Sequence, residues 1–284
     1  MLHEMSENSA PVGFTETQKQ RILDLGGEAL DSTFPNVAER QRKFDEIERD
    51  LVKKNKEGLL RFLTLARKPV LREIERDLTD TLVKAGFTEV VTPTIIPREF
   101  ITRMGITESH SLWNQICWID SRRCLRPMLA PNLYHMMREL RRISAPVSIF
   151  EVGSCFRKES RGREHTEEFT MLNAVELAPI KSTSQRLKEI VDLSLSAVGL
   201  TDYHFQRAES EVYGETIDVM ANDIELASGA TGPHKLDGNW RVIDPWAGVG
   251  FGLERLAMVK RSCKTLGHVS RSFGHLDGFS MSVM

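Results

Sequence analysis

Residues 248–255 place three glycines at alternate positions, and Arg255 stands three residues after the last of them. Because glycine has no Cβ, such a pattern lets the backbone approach a bulky ligand closely. The apolar run from Leu253 predicts a helix whose first turn, with Arg255, is suited to bind an anion such as a triphosphate. Leu253 replaces the third glycine of a dinucleotide fingerprint, and no G-K-[ST] sequence of a P-loop is present. A glycine-rich strand that merely packs closely against another element is the structural alternative.

A second arginine, Arg157, lies in a segment of the same character. Residues 150–159 and 168–173 are rich in β-branched and aromatic residues, and a charged loop through His165 separates them. This composition predicts two antiparallel strands joined by a long hairpin loop. Further upstream, a long amphipathic helix is followed by residues 86–93, which predict a turn at Gly86, a strand and a stop at a proline.

In this order, the three segments resemble the three motifs of class II aminoacyl-tRNA synthetases. Residues 125–134, 150–173, 212–219 and 245–246 narrow the resemblance to the catalytic domain of the pyrrolysyl-tRNA synthetase family, over about residues 60–275. The resemblance implies an α+β class II synthetase fold, an antiparallel sheet flanked by helices, with an N-terminal helical segment. It also implies two domains: a tRNA-contacting segment over residues 1–65 and the catalytic domain over residues 66–284.

The implied reaction is ATP-dependent ligation of pyrrolysine to its tRNA through an aminoacyl-adenylate. The nucleophile is a carboxylate that is already an anion, so positioning and charge neutralisation replace a protein base. By resemblance, Arg157 and Arg255 are catalytic and bind the phosphates. The ATP-binding positions carried over are Arg157, Glu159, Phe169, Glu225, Ser228 and Arg255. Glu225 and Ser228 also match the family's Mg²⁺ ligands, and hard oxygens suit that ion.

The resemblance also implies an elongated, mostly apolar amino-acid pocket with one buried amide. Its positions are Ala130, Leu133, Tyr134, Met137, Asn173, Val175, Tyr213, Ala230 and Trp246. A long lysine derivative whose side-chain amide meets Asn173 would fit such a pocket. Ala174 and Val175 stand where well-known family members carry an aromatic residue and a cysteine. The range of accepted amino-acid side chains is therefore left open, whereas the reaction is expected to be the same.

Composition agrees with a large folded enzyme. The chain has 284 residues, 40% of them hydrophobic and 27% charged, with a net charge of −2. The four cysteines show no C-x-x-C spacing, which favours reduced thiols over zinc or disulfides. Residues 1–13 lack the basic start and apolar middle of a signal peptide, and no apolar run is long enough to cross a membrane. We therefore expect a cytoplasmic protein without a membrane partner.

Local charge is less even than the total. Residues 53–72 hold seven basic side chains against one acid, residues 121–142 hold six arginines against one glutamate, and residues 255–271 add five bases and no acid. These patches favour contact with the RNA backbone over three merely solvated helix faces. The expected partner is tRNA(Pyl), and 29 residues after Arg255 are too few for an anticodon-binding domain. Whether a separately encoded N-terminal tRNA-binding protein takes part is open.

Periodicity predicts the main helices. Thr15 and Gln18 form a capping box for a short helix ending at Gly26, and residues 36–57 form a charged one. The next helix starts at Pro69, stacks apolar residues on one face and closes at Gly86; in the family it packs across a two-fold axis, so a homodimer is expected. Two more helices are predicted, one starting at Pro131 and one over residues 184–198.

Three other functions compete with this interpretation. A phenylalanine-type synthetase shares all three motifs, although Asn173 and the Tyr213 segment argue against it. A biotin or lipoate ligase shares the fold but does not need the three motifs together. A non-catalytic synthetase-like RNA-binding protein is the third, but such proteins usually lose the motif arginines, and Arg157 and Arg255 are present.

Overall fold

The computed structural model describes residues 11–28, 31–65, 67–158 and 166–283. Its α-helices are α1 Glu16–Asp24, α2 Val37–Thr64, α3 Val70–Lys84, α4 Arg98–Arg103, α5 Ala130–Leu140, α6 Thr183–Ala197, α7 Asp237–Trp240 and α8 Leu253–Arg261. Its strands are β1 Val12–Gly13, β2 Thr33–Phe34, β3 Thr88–Glu89, β4 Ile95–Pro97, β5 Arg123–Leu125, β6 Val147–Phe156, β7 Glu168–Leu177, β8 His204–Ser210, β9 Gly214–Ala221, β10 Ile224–Thr231, β11 Trp246–Gly252, β12 His275–Leu276 and β13 Phe279–Ser280. Short 3₁₀ turns occupy Ser111–Gln115 and Leu266–His268. None of the helices described is long and apolar enough to cross a membrane.

The chain divides into two compact units. One contains the residues up to Pro69 together with those from Ser272 onward, and the other is Val70–Arg271. The functional boundary predicted at residues 65 and 66 stays a prediction, but the last residues of the chain pack with the N-terminal unit. Buried Asn55 shows why: its amide donates to the carbonyls of Leu25 and Leu51 and its Oδ1 accepts from the Ser280 N–H.

The N-terminal unit contains the two predicted helices. Thr15 and Gln18 form the predicted capping box, each side chain accepting from the other's backbone N–H. Helix α2 runs to Thr64, beyond the predicted end at residue 57. The extension passes through Gly58, which does not stop the helix. A Cβ at Gly58 would overlap the ring of Phe279, so the glycine makes room for packing.

The larger unit is built on a seven-stranded sheet of order β3-β6-β7-β11-β10-β9-β8. All of its pairings are antiparallel except β3 with β6, a parallel pairing of two residues. The predicted hairpin is β6 and β7, paired from Val147 with Leu177 to Phe156 with Glu168. The expected α+β fold with a large antiparallel sheet is confirmed.

The two faces of this sheet carry different cores. One face is covered by α3, α6 and α8, with the four predicted α3 residues, Leu71, Ile74, Leu78 and Leu82, all buried. Gly86, at φ +90°, follows α3 where the helix was predicted to close. The other face packs against α4, α5 and α7 through a second, aromatic-rich cluster. Because strand side chains alternate, Ala174 points into the first core and Val175 into the second.

Candidate active site

A cavity of about 370 Å³ opens on the sheet face that carries the aromatic cluster. It brings together the sequence-predicted residues Ala130, Leu133, Tyr134, Met137, Arg157, Phe169, Asn173, Val175, Tyr213, Glu225, Ser228, Ala230, Trp246 and Arg255. Glu159, the remaining predicted ATP contact, lies outside the described residues. The roles assigned to these residues stay predictions, but their side chains share one volume although they come from segments more than a hundred residues apart.

Strand β7 orders this volume. Phe169, Met171, Asn173 and Val175 are alternate residues of one strand and all line the cavity. At about 3.4 Å per residue, the row is roughly 20 Å long. It runs from an aromatic ring beside Arg157, past one amide, to an apolar end. We call the part around Arg157, Glu225, Ser228 and Arg255 the phosphate half, and the part around Tyr134, Val175, Tyr213 and Trp246 the amino-acid half.

In the phosphate half, Arg157 follows directly after β6. Its Nε donates to the Pro127 carbonyl at 2.9 Å, and its guanidinium carbon lies 5.2 Å from the centre of the Phe169 ring. The hairpin register fixes this neighbourhood, because Cys155 pairs with Phe169 and the Arg157 N–H donates to the Glu167 carbonyl. The guanidinium is thereby held beside a ring that can stack on a purine.

Arg255 lies in the first turn of α8, directly after the glycine strand β11. Its guanidinium is 2.9 Å from Glu225 Oε1 and also donates to the Glu225 carbonyl at 3.1 Å. Ser228, three residues along β10 from Glu225, donates its hydroxyl proton to Asp218 Oδ1 at 2.6 Å. A carboxylate and a hydroxyl that lie on one strand thus face the cavity beside a cation.

The glycines of β11 have a more specific use than general closeness to a ligand. Gly250 pairs with Asn173 on one side and with Ser228 on the other. A Cβ at Gly250 would lie 2.9 Å from Asn173 Oδ1, closer than real Cβ contacts. At this position the missing side chain therefore makes room for the Asn173 amide as well as for a ligand.

Asn173 stands between the two halves. Its Oδ1 is buried and has no hydrogen-bond partner among the described residues. An unpaired buried carbonyl oxygen costs about 1–3 kcal/mol, so a cavity-facing amide of this kind is suited to a polar group of a ligand. The geometry agrees with the sequence-based hypothesis that this side chain reads the substrate.

Aromatic side chains surround the amino-acid half. Tyr134 stacks on Trp240 at 5.5 Å and meets the edge of Trp246 at 5.7 Å, and Tyr213 lies 6.1 Å from Trp246. Burial raises the pKa of the Tyr134 and Tyr213 hydroxyls well above the ordinary tyrosine value, and the nearby charge of Asp237 adds to this shift. Both hydroxyls are therefore neutral and able to donate over the physiological pH range.

Sequence reasoning missed three carboxylates at the cavity: Asp218, the cross-strand partner of Ser228; Asp237, which bonds Tyr134 and Trp246; and Glu254, which lines the cavity beside Arg255. Both oxygens of buried Glu254 lie 2.9 Å from the Thr170 N–H, which ties the start of α8 to β7 next to Phe169. Glu254 could have been identified from the sequence, because it stands directly before Arg255. Asp218 and Asp237 gave no such signal, because only the fold places them beside their partners.

The basic patch predicted over residues 121–142 needs a correction. Arg126 is buried, with its guanidinium 2.6 Å from Glu151 Oε1, and a Cβ at Gly153 would overlap it. Three of the four exposed members, Arg123, Arg141 and Arg142, are ion-paired with Asp120, Asp244 and Glu139. The fold thus uses much of this charge internally. By contrast, all seven bases between Lys53 and Arg72 are exposed.

Comparisons with known proteins agree with this site. Residues 63–229 match the family model described as the phenylalanyl tRNA synthetase beta chain CLM domain. A crystal structure of pyrrolysyl-tRNA synthetase from Desulfitobacterium hafniense is 44% identical, covers 96% of this chain and 99% of its own, and superposes with a TM-score of 0.89. A structure of Desulfitobacterium hafniense PylSc, a pyrrolysyl tRNA synthetase, is 41% identical, covers 99% and 100%, and gives the same TM-score of 0.89.

The family model matches residues 63–229, a part of the fold that the phenylalanine-type alternative shares. The two solved structures match nearly the whole chain, at 44% and 41% identity. The chain therefore belongs to the pyrrolysyl-tRNA synthetase family, and it is an aminoacyl-tRNA ligase.

Proposed function

We propose that this ligase joins pyrrolysine, or a lysine derivative of similar length, to tRNA(Pyl) through an aminoacyl-adenylate. The main support is the order of groups along β7: a ring beside an arginine, then a buried amide oxygen that has no hydrogen-bond partner in the described part of the chain, then an apolar end. ATP suits the first part and a long side chain with a polar group partway along suits the rest. Both solved relatives are named as pyrrolysyl-tRNA synthetases.

The reaction needs charge placed correctly more than it needs a base. A carboxylate oxygen of the amino acid attacks the α-phosphorus of ATP, the bond to the bridging oxygen breaks, and pyrophosphate leaves. The 3′-terminal ribose hydroxyl of the tRNA then attacks the activated carbonyl and AMP leaves. In this proposal Arg157 binds the α-phosphate, Phe169 stacks on adenine and Arg255 binds the terminal phosphates, so negative charge that builds up on phosphate oxygens is neutralised.

The donor set of the phosphate half fits Mg²⁺. Glu225 and Ser228 offer hard oxygens on one strand, and the Ser228 hydroxyl donates its proton away to Asp218, which leaves its lone pairs for a cation. Among the described residues there is no cluster of three or more His, Cys, Asp or Glu side chains for a metal. That suits an ion that takes most of its ligands from phosphate and water. Bound there, Mg²⁺ would neutralise phosphate charge.

The exposed bases between Lys53 and Arg72 support an N-terminal surface for the tRNA backbone. We propose that recognition avoids the anticodon and that the enzyme acts in the cytoplasm. We also propose that two copies pair through α3, where the apolar side chain of Val83 is 53% exposed. A separately encoded N-terminal tRNA-binding protein would add to this surface without changing the catalytic unit.

The decisive experiment is ATP–pyrophosphate exchange with a panel that contains pyrrolysine, Nε-acyl-lysines, lysine and phenylalanine. We expect exchange with pyrrolysine and with some acyl-lysines, and little with lysine or phenylalanine. Exchange with phenylalanine alone would replace the proposal by the phenylalanine-type alternative. Exchange with no member would leave an adenylating fold with a different substrate or none.

Aminoacylation of tRNA(Pyl) with an altered anticodon tests recognition separately. We expect kcat/KM to change less than about threefold, since phosphate and shape contacts do not read the anticodon bases. A tenfold fall would contradict the anticodon-independent part and leave the adenylation chemistry untouched.

A further inference from the structure

One buried carboxylate holds two walls of the amino-acid half. Asp237, 5% exposed, begins α7. Its Oδ1 accepts from the Tyr134 hydroxyl at 2.9 Å, and both of its oxygens accept from Trp246 Nε1, at 3.0 and 3.1 Å. Tyr134 comes from α5 and Trp246 from β11, so Asp237 joins two elements that do not adjoin in sequence.

The same segment also reaches the third aromatic residue. The His234 N–H donates to Asp237 Oδ2 at 2.6 Å. The His234 ring accepts the Leu236 N–H at Nδ1, which leaves the proton on Nε2, and Nε2 donates to the Tyr213 carbonyl. Residues 234–237 therefore fix Tyr213 through its backbone and Tyr134 and Trp246 through their side chains.

Among the described residues, the hydrogen bonds to the Asp237 carboxylate come from neutral donors. No lysine, arginine or histidine side chain is paired with it in the part of the chain that the structure describes. A buried carboxylate without a cation is costly unless hydrogen bonds satisfy its oxygens. Tyr134, Trp246 and the His234 N–H supply those bonds, so the carboxylate and its donors constrain one another strongly. Packing also fixes the Trp246 indole, because it lies so close to Gly232 that a Cβ there would overlap it.

We propose that Asp237 is a positioning residue that sets the depth of the amino-acid half, and thereby the length of substrate side chain that the enzyme accepts. The inference rests on the proposed function, since it concerns the same cavity. Asp237 does not line the cavity itself and acts only through Tyr134 and Trp246, which do.

The test compares Asp237→Asn with wild type in ATP–pyrophosphate exchange, using Nε-hexanoyl-lysine as the long probe and Nε-acetyl-lysine as the short one. Asparagine offers one acceptor oxygen and turns its NH₂ group toward donors, so at least one aromatic wall loses its tether. We expect kcat/KM for the long probe to fall roughly 10- to 100-fold, the range for a lost hydrogen bond to a charged group. The long-to-short ratio should shift at least fivefold while the KM for ATP stays within twofold.

The control is Asp192→Asn, because Asp192 also accepts from a tyrosine hydroxyl, that of Tyr203 at 2.6 Å, but lies outside the cavity. It should leave the ratio unchanged. If Asp237→Asn does not fold, Tyr134→Phe removes one donor while it keeps the ring, and it should shift the ratio in the same sense. Where both variants fold, the double variant should show less than the product of the two single effects.

The outcomes are distinguishable. If wild type exchanges with neither probe nor pyrrolysine, the proposed function fails. If wild type exchanges but Asp237→Asn, or Tyr134→Phe in its place, keeps the long-to-short ratio, the positioning role is overturned. A uniform loss with both probes and a raised KM for ATP would make Asp237 a residue for stability only, which also overturns it.

Discussion

The two halves of the cavity are held in different ways. In the amino-acid half, neutral donors converge on one buried carboxylate and the aromatic rings pack against each other. In the phosphate half, the charged groups are half-buried and satisfy one another, as Arg255 does with Glu225. The first arrangement is completed by the protein itself. The second is an ion pair whose members a phosphate and a cation can each take over.

Under the proposed function, this difference follows from what each half has to recognise. An apolar side chain offers little directional interaction, so the protein must fix the shape of its pocket in advance. In that proposal the other half receives a triphosphate with Mg²⁺, which brings strong charges. The ion pair of Arg255 with Glu225 keeps both side chains satisfied until those charges arrive. The shape of the amino-acid half is therefore set by a residue that does not line the cavity, Asp237. The charge of the phosphate half is set by residues that do line it, such as Arg255 and Glu225.

The largest expected effect comes from removing a phosphate-half arginine. Arg157→Ala and Arg255→Ala should each reduce ATP–pyrophosphate exchange about 10²-fold or more, because one preorganised charge contact to the transition state is lost. The loss should be equal for every accepted amino acid, since the phosphate half does not contact the side chain. Arg157→Lys keeps the charge but not the planar fork, so its loss should be smaller than that of alanine without being absent.

The matched control for these variants is Arg207→Ala. Arg207 is 88% exposed on β8 and pairs only loosely with Glu215, at 3.8 Å. Its exchange rate should equal that of wild type. Near-normal exchange in Arg157→Ala or Arg255→Ala would show that the arginine in question is structural, and a loss that depended on the amino acid would remove the distinction between the halves.

Asn173 should give the next largest effect, and this effect should depend on which amino acid is used. Asn173→Ala removes the buried amide, so discrimination worth about 1–3 kcal/mol, or about 5- to 150-fold, should disappear between an acyl-lysine and phenylalanine. The measurement is kcat/KM for both amino acids in wild type and variant, with Tm as the check on folding. Asn239→Ala removes an exposed amide outside the cavity and is the control. An unchanged ratio would contradict the role of Asn173 as the selectivity residue.

The sequence predicted those parts of this comparison that depend on local pattern. Three features follow from residue spacing within one segment, and each is present: the buried apolar face of α3, the β6–β7 hairpin and the glycine strand β11 before Arg255. The supporting carboxylates do not follow from spacing, because Asp237 and Tyr134 are 103 residues apart and only the fold brings them together. Arg126 shows the same limit in reverse: in the sequence it belongs to a basic patch, but burial beside Glu151 assigns it to the interior.

The smallest expected effect concerns Glu254, the buried carboxylate that accepts from the Thr170 N–H. Burial raises the pKa of Glu254 above the ordinary glutamate value of 4.5, against the lowering effect of the Thr170 N–H and the charge of Arg271. The folded state therefore holds this proton more tightly than the unfolded state. The free energy of unfolding should fall as pH rises from about 4.5 through the folded-state pKa, and then stay lower. Glu254→Gln keeps an oxygen for the Thr170 N–H but has no proton to lose, so its Tm should decline less than that of wild type over this range. Glu189→Gln is the control of opposite sign, since the hydrogen bond from Lys181 lowers the pKa of that half-buried carboxylate. Its own contribution is lost on acidification and is weakened by solvent. Parallel Tm curves for wild type and Glu254→Gln would show that folding does not raise the pKa of Glu254, and would contradict this prediction.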